Sequence, residues 1–207
     1  MSKKQFIYLA LGILILICFW FLFFNGDKKQ IKNFPSKGTD IVAFGDSLIV
    51  GLGATEGNDF VSILSKKIGL NIINLGVSGN TTEDGLNRIN ELDQYDPKVV
   101  LLLLGGNDAI RQLPIETTFR NLEIIISKIQ SRGSIVLLLG VKGGLLGDKF
   151  KSEFERISEK YHTAYVPNVL DSLFGNRKFM ADSIHPNNQG NVIIAEKIYP
   201  ILFPLLK

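Results

Sequence analysis

The sequence predicts an α/β/α layered domain on a parallel sheet, behind an N-terminal membrane segment. Three observations carry the fold class. Short unbroken apolar runs recur at Ile41–Phe44, Val99–Leu104 and Ile135–Leu139, and such runs suit strands covered on both faces, as in parallel sheets. Stretches with helical spacing of apolar residues separate them, so strand and helix alternate. Polar clusters follow the apolar runs, and functional groups in open parallel sheets collect just beyond the carboxyl ends of the strands.

The elements follow in order. Asp40–Phe44 reads as the first, buried strand. Phe60, Ile63, Leu64 and Ile68 have helix spacing, and Gly69 is placed to cap that helix at its C-terminus. Asn71–Leu75 is the second strand. Thr82–Leu92 reads as one helix, and Pro97 precedes the third strand, Val99–Leu104. Phe119, Leu122, Ile126 and Ile129 form a helix stripe closed by Gly133, before the fourth strand at Ile135–Leu139. Phe150–Tyr161 is a further helix and Ala164–Val166 a short fifth strand. A last helix begins near Asn188 and carries Val192, Ala195, Ile198 and Tyr199.

Composition narrows the function. The chain has 207 residues, 45% hydrophobic and 21% charged, with a net charge of +3. No basic run interleaves with aromatics, which argues against nucleic-acid binding. The one cysteine, Cys18, excludes an internal disulfide and disfavours a cysteine-based metal site. Only two histidines exist, His162 and His185, so any imidazole base is one of them.

The N-terminus reads as a membrane anchor. Phe6–Phe24 runs 19 residues without a charge, flanked by Lys3 and Lys4 on one side and Lys28 and Lys29 on the other. At ~1.5 Å rise per residue, a helix of that length spans roughly the ~30 Å hydrocarbon core of a bilayer. A cleaved signal has a shorter apolar core, of about 7–15 residues, and a small-residue cleavage site. Here Phe19–Phe24 stays bulky to its end, and Ile17 precedes Cys18 where a lipidated cysteine's signal carries Gly or Ala. The expected organisation is an uncleaved signal-anchor over residues 1–25, a polar linker over 26–39 and one domain over 40–207. Lys3 and Lys4 favour a cytoplasmic N-terminus with the domain outside. Lys28, Lys29, Lys32 and Lys37 argue the other way. The segment's place at the extreme N-terminus decides for the exported orientation.

Four polar clusters carry chemistry. Gly45-Asp46-Ser47-Leu48 follows the first strand, Gly76-Val77-Ser78-Gly79-Asn80 the second, and Gly105-Gly106-Asn107-Asp108 the third, while Asp182-Ser183-Ile184-His185 precedes the last helix. Together they supply a serine, open backbone N–H groups, a carboxamide, a carboxylate and an imidazole, the parts for acyl transfer through a covalent intermediate. In that scheme Ser47 is the nucleophile and His185 the base. Asp182 and Asp171 both offer an acid to orient the imidazole, and Asp182 is preferred because it shares a short turn with His185. The N–H groups of Ser47 and Gly76 and the Asn107 carboxamide are the candidate oxyanion hole.

These four clusters resemble, in order and spacing, the four sequence blocks of the SGNH (GDSL) hydrolase family, over about residues 40–205. The likeness is greatest to its small single-domain bacterial arylesterases, thioesterases and lysophospholipases. Ile49 departs from it, standing where close relatives often carry a small polar residue. The resemblance implies a flavodoxin-like, three-layer fold with a five-stranded parallel sheet, no metal and no organic cofactor. It also implies the triad Ser47, Asp182 and His185, with Ser47, Gly76 and Asn107 as the oxyanion hole. The implied substrate is a small-molecule acyl ester or a lipid. With the anchor, it implies a single-pass protein of the bacterial inner membrane with an extracytoplasmic domain.

The same residues allow other readings. Asp46 and Asp108 are turn-stabilising types, Glu83 and Asp84 read as first-turn helix acids, and His162 as a helix-end histidine. A membrane-tethered module that binds lipids or acylated glycans without turnover is the alternative function. A nucleotide site after the first strand is disfavoured, because Asp46 stands where phosphate would bind. Leu52, Val77, Ile110, Leu113, Leu145 and Leu146 are candidate linings of an acyl groove.

Overall fold

A computed structural model describes residues 30–141 and 147–207. The expected anchor over 1–25, with Cys18 and its flanking lysines, lies outside the described residues, as do Leu145 and Leu146. Among the described residues no helix is long and apolar enough to cross a membrane.

Five strands form the sheet: β1 (Asp40–Gly45), β2 (Ile72–Gly76), β3 (Pro97–Leu103), β4 (Ile135–Leu139) and β5 (Ala164–Val166). All neighbours pair in parallel, in the order β2-β1-β3-β4-β5. The unbroken apolar runs are explained by burial. Val99 to Leu103 and Ile135 to Leu139 are fully buried, covered by helices on both faces. β2 alternates more and is half-exposed, as befits an edge strand. The order reverses direction between β1 and β3, which places a crevice beyond the carboxyl ends of those two strands.

The helices are α1 (Ser47–Val50), α2 (Phe60–Ile68), α3 (Thr82–Asn87), α4 (Gly106–Ile110), α5 (Ile115–Ser131), α6 (Gly147–Tyr161) and α7 (Asn188–Leu202). Local chemistry sets their ends. Asp59 caps α2 by accepting from the Ser62 N–H at 2.8 Å, a contact type that stabilises a helix by about 1 kcal/mol. Gly69 ends it at φ +71, as the sequence predicts. Thr81 and Asp84 form a reciprocal capping box on α3. Phe119 on α5 meets Phe150 and Phe154 on α6 edge-to-face, with centroids 5.3 and 5.1 Å apart. Such pairs contribute about 0.5–1.5 kcal/mol each beyond their area burial.

The structure departs from the sequence expectations in four places. The predicted helix over Thr82–Leu92 ends at Asn87 and resumes as a 3-10 helix over Ile89–Gln94. Gly85, Asn87 and Asn90 are poor helix formers. Ile89 and Leu92 are both buried, and a 3-10 turn stacks residues three apart on one side. Two short helices, α1 and α4, stand where loops are expected after β1 and β3. The last helix before β5 starts at Gly147 rather than Phe150. Finally, the expected linker belongs to the domain from Ile31 onward. The Asn33 side chain donates to the carbonyls of Gln130 (2.8 Å) and Ser134 (2.9 Å), and Ser36 Oγ donates to the Gly133 carbonyl (2.8 Å). Gln130 lies in the last turn of α5, and Gly133 and Ser134 lie just beyond it, so the segment is tied to the C-terminal end of that helix.

Candidate active site

Ser47 opens α1 directly after β1. Asp46 caps that helix, its Oδ1 accepting from the Leu48 N–H at 3.0 Å. The cap tilts the chain so that Ser47 sits at the first helical position, with its N–H outside the helix ladder. Gly45 is required by crowding, since a Cβ there would lie 2.1 Å from the Leu103 carbonyl oxygen.

His185 is delivered by the loop before α7. The Ala181 N–H bonds to the His185 carbonyl at 2.8 Å, and Met180 and Pro186 form an antiparallel bridge. Asn187 closes the loop by capping α7. Inside it, Asp182 Oδ1 accepts the N–H groups of Ile184 and His185, both at 2.7 Å, and Oδ2 lies 2.8 Å from His185 Nδ1. These bonds lower the Asp182 carboxyl to about 2, the His185 ring contributing most. An ionised carboxylate only accepts, so the proton is on Nδ1 and the Nε2 lone pair faces Ser47. Ser47 Oγ lies 3.0 Å from His185 Nε2. A hydroxyl held to an imidazole that is oriented by a carboxylate can act as an activated nucleophile.

Asn107, in the first turn of α4, lines the same cavity as Ser47. Its Nδ2 donates to the Asn80 carbonyl at 2.9 Å, using one of two N–H groups. The structure therefore brings together Ser47, Asp182, His185 and Asn107. It does not bring in Gly76. The Gly76 N–H is taken by Asn74 Oδ1 at 2.9 Å. The cause is strand geometry: the next residue, Val77, donates to the Gly45 carbonyl on β1, so Gly76 faces the open sheet edge. Gly79, three residues on, is not among the oxyanion donors expected from the sequence. It has φ +81, a conformation suited to glycine, and no hydrogen bond occupies its N–H among the described residues. It directly precedes Asn80, the residue bonded to Asn107. The Ser-Gly-Asn turn signal in the same block was the available clue.

The remaining acids and the second histidine have other places. Asp171 accepts from its neighbour Ser172 and makes no hydrogen bond to His185. His162 is exposed after α6, its carbonyl accepting from the Lys32 N–H. Asp108 is buried and joins elements rather than one turn. It accepts from Thr82 N (2.9 Å), Thr82 Oγ1 (2.5 Å) and Thr118 Oγ1 (3.3 Å).

A cavity of about 420 Å³ opens beside Ser47, walled by Leu48, Ile110, Val141, Leu170, Phe174 and Ile184 among others. Of the expected groove residues that are described, Ile110 lines it. Leu52 and Val77 are exposed, and Leu113 is half-buried away from the wall. Leu170 and Phe174 come from the segment between β5 and α7, outside all four clusters, whereas Ile184 stands inside the fourth cluster beside the catalytic candidates.

Asp46 is 2% exposed, and burial pushes its carboxyl up to about 7, with the nearby Asp108 adding to the rise. The ordinary carboxyl value is about 4. Between those values the folded chain holds a proton that the unfolded chain has released, so stability falls as pH rises from about 4 to about 7. Asp182 acts with the opposite sign, its stabilisation fading as pH falls toward 2. Asp46→Asn keeps an acceptor for Leu48 and cannot ionise. Its melting temperature relative to wild type is expected to climb steadily from pH 4 to pH 8. Parallel melting curves for the two proteins would reject this account.

Comparisons with known proteins bear on the same residues. The model of the GDSL-like Lipase/Acylhydrolase family matches residues 43–193. Esterase TesA of Pseudomonas aeruginosa is 30% identical over 178 residues, covering 80% of this chain and 89% of that protein. The Escherichia coli K12 protein named thioesterase 1/protease 1/lysophospholipase L1 is 25% identical over 175 residues, covering 80% and 84%. A crystal structure of TesA superposes with a TM-score of 0.77 at 29% identity, covering 81% of this chain and 99% of that one.

Proposed function

Because this chain belongs to the GDSL-like lipase/acylhydrolase family, also called SGNH hydrolases, and is a hydrolase of ester bonds, we propose that it cleaves carboxylic esters or thioesters through an acyl-enzyme on Ser47. One observation carries the reading: the unbroken relay from Ser47 Oγ to His185 Nε2 at 3.0 Å and from His185 Nδ1 to Asp182 at 2.8 Å. His185 takes the serine proton as Oγ adds to the substrate carbonyl. The oxyanion is received by the Ser47 N–H, the free N–H of the Asn107 carboxamide and the Gly79 N–H, which replaces Gly76 in this role. Collapse expels the alcohol or thiol with the proton from His185. Water, deprotonated by the same ring, then releases the acid and restores Ser47.

The substrate class follows from the walls. Leu48, Val141, Leu170, Phe174 and Ile184 offer an apolar sleeve for an acyl chain. Ile110, Phe174 and Ile184 are also exposed at its mouth, which suits a lipid or aryl ester of the lysophospholipase and arylesterase kind. A module that only binds lipids or acylated glycans has no use for a carboxylate-held imidazole 3.0 Å from a hydroxyl, and that contact favours turnover. A fluorophosphonate probe is expected to label the full-length chain in detergent at one residue, Ser47. A folded chain that resists the probe would overturn the acyl-enzyme reading. Acyl esters of graded chain length, with lysophospholipid alongside, then rank the substrates.

The proposed location is the bacterial inner membrane, with Phe6–Phe24 as a single-pass anchor and the domain outside the cytoplasm. The uncharged run supports this reading. Protease added to spheroplasts is expected to digest the domain. Digestion only after lysis would reverse the topology.

A further inference from the structure

We infer that Arg88 is a positioning residue, which holds Asn80 and, through it, the Asn107 carboxamide in the orientation the reaction needs. The inference rests on the reading of Asn107 as an oxyanion donor. Arg88 stands at the break between α3 and the 3-10 helix, where the chain turns back toward the carboxyl ends of β1 and β2. Its side chain is only 13% exposed. The guanidinium lies over the Phe44 ring, 4.1 Å from the centroid.

Four of its five N–H donors are engaged. Nη1 pairs with the partly exposed Glu91 at 2.9 Å. The other three bonds point to the site. Nη2 donates to the carbonyls of Gly45 (2.8 Å) and Leu75 (3.0 Å), and Nε donates to Asn80 Oδ1 (2.6 Å). Gly45 lies two residues before Ser47. Leu75 and Asn80 bracket the turn that carries Gly79. The Asn80 carbonyl in turn accepts from Asn107 Nδ2 at 2.9 Å. The chain of contacts therefore runs from a fixed cation, through one asparagine, to the carboxamide that meets the developing charge.

A surface ion pair with Glu91 alone would contribute little. Sinking the fork into the sheet ends costs desolvation, and what it gains is geometry. With one amide N–H held by Asn80, the carboxamide cannot rotate, and its second N–H keeps a single direction. Preorganised donors of that kind lower the barrier because they need not reorient as charge appears. A lysine keeps the charge but cannot span three acceptors in one plane.

The test is a double-mutant cycle on the full-length chain in detergent, with a short aryl ester as substrate. Arg88→Lys is expected to lower kcat by about 10- to 100-fold, the cost of a small misplacement, with KM within about twofold. Asn107→Ala is expected to lower kcat by about 10²- to 10³-fold. On the Asn107→Ala background, Arg88→Lys should cost less than about threefold more, because the group it positions is gone. An equal loss in both backgrounds, or wild-type kcat in Arg88→Lys, overturns the positioning role. Wild-type kcat in Asn107→Ala alone overturns the oxyanion reading, and the Arg88 proposal with it. If Arg88→Lys fails to fold, Asn80→Ala enters the same cycle with the same outcomes. It removes the Oδ1 link and leaves the Gly45 and Leu75 anchors in place.

Discussion

Ser47→Ala should abolish hydrolysis of a short aryl ester, lowering kcat/KM by about 10⁴-fold or more, while the protein stays folded. The size of the loss follows from how a serine, histidine and acid act as one unit. Without the nucleophile, the oxyanion donors and the binding cavity retain only a small part of the rate enhancement. The substitution removes one oxygen whose hydrogen-bond partner is His185 Nε2. It touches neither the Asp46 cap on α1 nor the Gly51 turn that ends it. Melting temperature is therefore expected to stay within a few degrees of wild type. The check is kcat/KM beside a thermal melt, with fluorophosphonate labelling as a second readout. Wild-type turnover in folded Ser47→Ala would show that another residue is the nucleophile.

The two histidines should separate completely. His185→Ala is expected to cost as much as Ser47→Ala, and the double variant little more than either, because the two act in one step. His162→Ala should leave turnover within about twofold, since His162 is exposed and serves the fold through its backbone carbonyl. Asp182 adds a third arm. Held near 2, its carboxyl stays charged through the neutral range and fixes the proton on Nδ1. Asp182→Asn presents an amide that can reverse the tautomer, with an expected loss of about 10⁴-fold in kcat. Steady-state kinetics on the three variants decide the assignment. Equal losses from His162→Ala and His185→Ala would leave the base unassigned, and an active Asp182→Asn would return attention to Asp171.

Much of this was legible from the chain. Apolar runs at Val99–Leu104 and Ile135–Leu139 report burial on both faces directly, because a strand covered by helices has no polar face to keep. The nucleophile's place follows from one strand end. Asp182 and His185 meet because they are three residues apart, and a single turn closes the carboxylate on the ring. Such features depend on neighbours in sequence, and sequence determines them.

What the sequence left open depends on partners far away in the chain. Gly76 and Gly79 look equivalent as open N–H donors. Only pairing with β1 turns the Gly76 N–H toward the sheet edge and onto Asn74, leaving Gly79 free. The cavity takes walls from Leu48, Ile110, Val141, Leu170 and Ile184, which no local periodicity links. Arg88 falls inside the helix expected over Thr82–Leu92, and only the break at that point lets its guanidinium reach the Gly45 and Leu75 carbonyls at two strand ends and the Asn80 side chain in the turn beyond. Asn33 likewise reads as linker until the carbonyls of Gln130 and Ser134 meet its side chain. In each case the side chain's own preference is weak. The deciding contacts join residues distant in the chain, so only the packed tertiary structure creates them, through hydrogen bonds at the strand ends and apolar burial at the cavity walls.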